Sequence, residues 1–105
     1  MMLQPLIRER YEIESLSAAE IIDKIYDAFK PYSEQRESHA DISHGISYTT
    51  LDIPEISMRI DVTQKLVRYP PKVIVQFSVP RGYDEEVAQL REILRANGLE
   101  KKADS

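Results

Sequence analysis

Apolar and polar residues alternate most regularly between Ile56 and Val79. Ile56, Met58, Ile60 and Val62 interleave with Ser57, Arg59, Asp61 and Thr63. Further on, Val73, Val75, Phe77 and Val79 interleave with Lys72, Ile74, Gln76 and Ser78. A period of two places each apolar set on one face of a strand. The two runs predict neighbouring strands at the middle of a sheet that is dry on one face and wet on the other. Thr63 to Pro71 connects them, and the Pro70-Pro71 pair stops strand pairing there.

Two weaker strand patterns precede this pair. Ile46 to Ile53 is rich in Thr, Tyr and Ile, but Ile46 and Tyr48 share one parity while Leu51 and Ile53 share the other. A bulge near Thr49-Thr50 would account for that change of phase. Asp52 to Glu55 makes a tight connection to the next strand. At the start of the chain, Leu3, Pro5, Ile7, Tyr11 and Ile13 fall on one parity, interrupted by Glu9. Leu6, Arg8, Arg10, Glu12 and Glu14 fall on the other. Pro5 lacks a ladder donor, so the strand is expected to start after it or to lie at an edge; it would add to the sheet edge or pair with another copy.

Two segments change period from two to 3.6. Ser17-Ala18-Ala19-Glu20 forms a capping box, with Leu16 and Ile21 placed as a hydrophobic staple. Ala18, Ile21, Ile22, Ile25 and Phe29 then make an apolar stripe, Glu20 and Lys24 a favourable i,i+4 pair, and Pro31 ends the helix. A second helix starts at the N-cap Asp84, with Glu85 and Glu86 at its positive end. Its stripe is Val87, Leu90, Ile93 and Leu94, and Gly98 with Leu99 reads as a Schellman stop. Residues 31–45 show no period and are expected to form a long loop, with 1–4 and 100–105 frayed. The predicted order is β-α-β-β-β-α. It describes an α+β two-layer sandwich, in one domain over 1–105, whose antiparallel meander carries both helices on one face.

Composition narrows the function. Hydrophobic residues make up 42% and charged residues 30%, which suits a globular chain and not a disordered one. The absence of cysteine removes disulfides, thiolate nucleophiles and cysteine-ligated zinc. The start of the chain is too charged for a signal peptide, and no apolar run approaches the roughly 20 residues needed to span a bilayer. A cytoplasmic protein without membrane contact is expected. The net charge of −4 disfavours nucleic acid as a partner. It is uneven: residues 1–55 hold 5 basic and 11 acidic side chains, residues 56–105 hold 9 and 7. Such polarity suits self-association, including a homodimer.

Candidate chemistry is sparse. His39, Asp41 and His44 are a sensible ligand set for a divalent cation, though H-x-D-x-x-H is not an established spacing. Ser38, Ser43 or Ser47 beside a histidine would be the only nucleophile–base pairs to draw. Gly-rich phosphate loops are missing, and no cofactor is expected. The helix–three strands–helix order over Ser17 to Gly98 is similar in layout to double-stranded RNA-binding domains. Those grip phosphates with lysines at the start of their second helix, where this chain has Asp84, Glu85 and Glu86. Arg59, Arg68 and Lys72 are the candidate binding residues of the wet sheet face. The leading reading is a non-catalytic protein-interaction or assembly module using that face or a sheet edge. RNA binding through Arg59 and Lys72 is the alternative, and a small enzyme or metal-binding protein the next.

Overall fold

The computed structural model describes residues 6–15, 18–32, 35–41, 45–66 and 70–102, at 41 the backbone only. Nine elements follow one another among the described residues: β1 (Leu6–Glu14), α1 (Ala19–Ala28), β2 (Gln35–Asp41), β3 (Ile46–Ile53), a 3-10 turn (Pro54–Ile56), β4 (Met58–Lys65), β5 (Lys72–Pro80), α2 (Asp84–Ala96) and β6 (Glu100–Lys102). The six strands form one sheet in the order β2-β3-β4-β5-β1-β6. Every pairing is antiparallel. Both helices lie on one face, so the chain has the α+β sandwich architecture expected from its patterning.

The alternation at Ile56–Val79 produces the centre of this sheet. Met58, Ile60 and Val62 of β4 and Val73, Val75, Phe77 and Val79 of β5 are all buried. Ile60 stands opposite Phe77 and Val62 opposite Val75, so the apolar sets meet on one face. Burying such a side chain is worth roughly 1.5–3 kcal/mol, opposed by the entropy of ordering it. The α1 stripe (Ala18, Ile21, Ile22, Ile25, Phe29) and the α2 stripe (Val87, Leu90, Leu94) close over that face.

Local stop signals behave as their chemistry requires. At the end of α2 the Leu99 N–H donates to the Leu94 carbonyl at 3.0 Å and the Gly98 N–H to that of Arg95 at 3.0 Å, the bond pair of a Schellman motif. Gly98 takes φ +82, and a Cβ there would stand 3.0 Å from Ile13 Cδ1. Leu99 turns back into the core. The Glu20–Lys24 ion pair forms at 3.3 Å. The N-cap of α1 is Ala18, without a side-chain cap bond, in place of the expected Ser17, which with Leu16 lies outside the described residues.

Five expectations are corrected. Residues 31–45 are not all loop, because Gln35–Asp41 pairs along seven positions with β3. The helix–three strands–helix likeness ends there, since four strands separate α1 from α2. Glu100–Lys102 is not frayed but forms β6 against Arg10–Glu12. That pairing puts β1 between β5 and β6, inside the sheet and not at its edge. Finally, β3 has no bulge: its register with β4 runs unbroken from Ile46–Lys65 to Ile53–Met58. Thr49 occupies the dry position before Leu51 and Ile53, while Ile46 and Tyr48 face the open side. Small boundary shifts accompany these: Ile56 closes the 3-10 turn, β4 starts at Met58, and Tyr83 is the N-cap of α2.

Candidate functional site

The face of the sheet opposite the helices carries no covering element among the described residues. Its side chains form cross-strand rows, because directly opposed residues share a face. One row is Arg8, Ser78, Arg59, Asp52 and Gln35. The next is Arg10, Gln76, Asp61, Thr50 and Glu37. The third is Glu12, Ile74, Thr63, Tyr48 and His39. Ile74 has the wet parity but is only 5% exposed, flanked by Glu12 and Thr63 in its row.

These rows separate the residues expected to act together. Arg59 pairs with Ser78 at one end of β5, and Lys72 begins the other end. Six residues of strand put them about 20 Å apart. Lys72 is engaged by Glu12 at 3.2 Å, and Arg10 approaches the same carboxylate at 2.9 Å. Burial pushes the Glu12 carboxyl up, but the Lys72 hydrogen bond and the charges of Arg10, Lys72 and Lys102 outweigh it and leave it below its ordinary range. Arg59 has a looser partner, Asp61, at 3.5 Å, and Asp61 also accepts from the Thr50 hydroxyl at 2.9 Å. Arg68 lies outside the described residues.

Arginines gather instead at the β1 end of the face. Arg8 and Arg59 flank Ser78, and Arg10 stands one row along beside Gln76. A cleft of about 320 Å³ opens here, lined by Arg8, Glu9, Arg10, Asp61, Gln76, Phe77 and Ser78. No described residue pairs with Arg8. The alternation of Arg8 and Arg10 with Ile7 and Tyr11 was the sequence signal for this cluster. Its meaning depended on β1 pairing with β5.

The helix-covered face hides a buried carboxylate. Glu9, the break in the apolar parity of β1, is 5% exposed. Its carboxylate accepts from Arg91 Nε at 3.0 Å, from Arg91 Nη2 in a second, short bond, and from the Tyr11 hydroxyl at 2.9 Å. Lys101 Nζ of β6 stands 3.8 Å away. The Arg91 bonds hold the Glu9 carboxyl below its ordinary range against the opposing effect of burial. Burial, then the bond to Glu9, pushes the Tyr11 phenol up. Arg91 borders the α2 stripe, one position after Leu90. A carboxylate at a dry strand position already required a cation, so this pair was foreshadowed by Glu9 itself. The pair closes the core at the β1–α2 boundary.

His39 lies on the open side of β2, opposite Tyr48, with Nε2 3.9 Å from Glu37. Asp41 ends the strand opposite Ile46, and His44 lies outside the described residues. No group of three His, Asp or Glu side chains converges on a metal position among the described residues. Ser38 has the parity opposite to His39 and shares a hydrogen bond of 3.2 Å with Thr49 on the helix side. Ser47 stands opposite Ala40, also on that side. Neither serine can reach the His39 ring, because adjacent strand residues point to opposite faces. Ser43 lies outside the described residues.

The remaining feature is β2 itself. Gln35, Arg36, Glu37, Ser38, His39 and Ala40 are all exposed, on both faces. The strand pairs with β3 on one side and, among the described residues, with nothing on the other. No helix among the described residues is long and apolar enough to cross a membrane. The sequence matches no family model. It matches no curated protein either.

Proposed function

We propose that this protein is a non-catalytic interaction module that accepts a partner strand along the outer edge of β2. The observation that carries the reading is a seven-residue strand, none of whose described side chains is buried, at the edge of a well-packed sheet. Such an edge presents a row of N–H and C=O groups to any extended segment. Beyond its ladder with β3, β2 is held by the Ser38–Thr49 bond and an exposed Arg36–Asp23 contact of 3.9 Å. An exposed ion pair of that kind contributes at most about 1 kcal/mol. A partner strand would supply the second ladder that β2 lacks. Selection from a random peptide library tests this: bound peptides should slow amide hydrogen exchange in β2 and leave β1 unchanged. The reading fails if no peptide binds, or if peptides bind while β2 amides stay unprotected.

A second reading rests on the arginine cleft. Arg8, unpaired among the described residues, with Arg10 and Arg59 beside it, suits a phosphate or carboxylate group, including those of RNA. Low-salt gel shifts with RNA and single-stranded DNA test it. A shift lost in Arg8→Ala supports the cleft, and no shift with either nucleic acid removes the RNA form of this reading.

A further inference from the structure

We infer that the strand taken up by β2 is β2 of a second copy, in a two-fold antiparallel pairing centred on Ser38. This rests on the edge reading above and adds the identity and register of the partner. Two identical strands related by a two-fold axis perpendicular to the sheet must pair in a restricted set of registers. Opposed residues share a face, so one residue faces its own copy and the rest pair symmetrically about it. The charges of β2, together with the number of its residues that pair, distinguish the choices.

Centred on Glu37, the strands would oppose two carboxylates directly. Centring on Arg36 would oppose two guanidiniums. Centring on His39 would set Glu37 against the partner's Asp41. Like charges in directly opposed positions are destabilising. Centred on Ser38, all seven residues of β2 pair. Glu37 then meets the partner's His39, and His39 meets the partner's Glu37. Arg36 meets the partner's Ala40, and the two serines face each other. Glu37 and His39 already lie 3.9 Å apart along one strand. Two copies would therefore form a square on the open face in which carboxylate and imidazole alternate. A neutral imidazole carries one N–H and donates to one carboxylate, so each His39 can still donate across the seam to the partner's Glu37.

The other residues of β2 fit the same arrangement. Ser38 and Ala40 are small, so the helix-side row at the two-fold axis holds no bulky side chain. The strand contains no proline and no lysine, the usual means of blunting an edge. The joined sheet would run through twelve strands, with the helices of both copies on the same side.

The chain has no cysteine, which makes the register directly readable. Across an antiparallel pair, opposed Cα atoms are about 4.5–5.5 Å apart, within disulfide range. Ser38→Cys should give a disulfide-linked dimer under mild oxidation. Ala40→Cys, offset by four residues from its own copy, should link far more slowly. Sedimentation of the unmodified chain should show a dimer that dissociates on dilution. His39→Glu, which places four carboxylates in the square, should weaken association by about tenfold or more. Adding Glu37→Lys to it should restore the dimer, and this rescue separates a register effect from a folding defect. A monomer mass at the highest soluble concentration overturns the inference. So does Ser38→Cys linking no faster than Ala40→Cys. A monomer whose β2 still captures library peptides would sink self-pairing while leaving the edge reading intact, and a monomer that captures none would sink both.

Discussion

β1 and β2 are both charge-rich strands, LIRERYEIE and QRESHAD, yet they end in opposite environments. β1 lies between β5 and β6 and sends Tyr11 into the core, with Ile7 and Ile13 packed against it. It buries a carboxylate, Glu9, and supplies it with Arg91, Tyr11 and Lys101. β2 lies at the rim, and each of its described side chains meets water. The difference shows that charge content does not decide burial in this sheet. What decides it is whether the alternate positions carry enough apolar surface to bring a helix over the strand. β1 has Ile7, Tyr11 and Ile13 at those positions. β2 has Arg36, Ser38 and Ala40, which give a helix little to cover.

Substitutions should widen or erase this contrast. The largest effect is expected from Tyr11→Ala. The ring is fully buried, stacks on Phe77 with centroids 6.3 Å apart, and bonds Glu9, so its loss should cost about 3–5 kcal/mol in urea unfolding. Arg91→Met should come next, at about 2–4 kcal/mol near neutral pH, because Glu9 would stay buried without its main partner. The lower end is favoured by Arg91 being 38% exposed, with water screening the pair.

The same pair predicts a pH dependence. The Glu9 carboxyl is lowered in the folded chain, chiefly by Arg91. Its stabilising contribution is therefore complete above the unfolded carboxylate range, about pH 4–5, and is lost as pH falls through the lowered folded value. Unfolding measured from pH 7 to pH 3 should show the parent chain losing stability at the acid end. In Arg91→Met, burial without the arginine should raise the same carboxyl. That variant should gain relative to the parent as the pH drops, and a constant gap between them would show that Glu9 is not coupled to Arg91.

Gly98→Ala should cost roughly 1 kcal/mol or more, since residue 98 holds φ +82 with Ile13 at 3.0 Å from the new Cβ. The smallest effects belong to β2. Gln35→Ala and Arg36→Ala should each stay within about 0.5 kcal/mol. Amide exchange completes the contrast: β1 amides should open only near global unfolding, while β2 amides should exchange faster in the monomer. Comparable protection in both strands would mean that β2 is tied down by something other than β3.

Much of the architecture was legible in the chain because burial follows period. The β4 and β5 alternation, the two helical stripes and the Gly98–Leu99 stop each appear where the residues placed them. β2 and β6 were not legible, since neither has an apolar alternation. Their strand form comes from backbone pairing with β3 and β1, which leaves no mark on side-chain type. The bulge expected in β3 would have put Ile46 and Tyr48 on the face of Leu51 and Ile53; in the unbroken register the position on that face falls to Thr49. Its hydroxyl instead finds Ser38 across the ladder, so a polar residue fills a buried position without breaking register. The candidate site was less legible than the fold. Arg59 and Lys72 share a face, as their parity required, yet stand at opposite ends of β5.

By itself the sequence determined the class of fold: which segments repeat at two, which at 3.6, and which face of each must be dry. Those are local consequences of side-chain order, readable without knowing any neighbour. Only the tertiary structure decided that β1 is an interior strand, that Glu9 meets Arg91 from 82 residues away, and that β2 forms the exposed rim. Strand order and partner choice are set by contacts between distant segments. Their free energy exists only after the chain has closed on itself, so no stretch of it carries them alone.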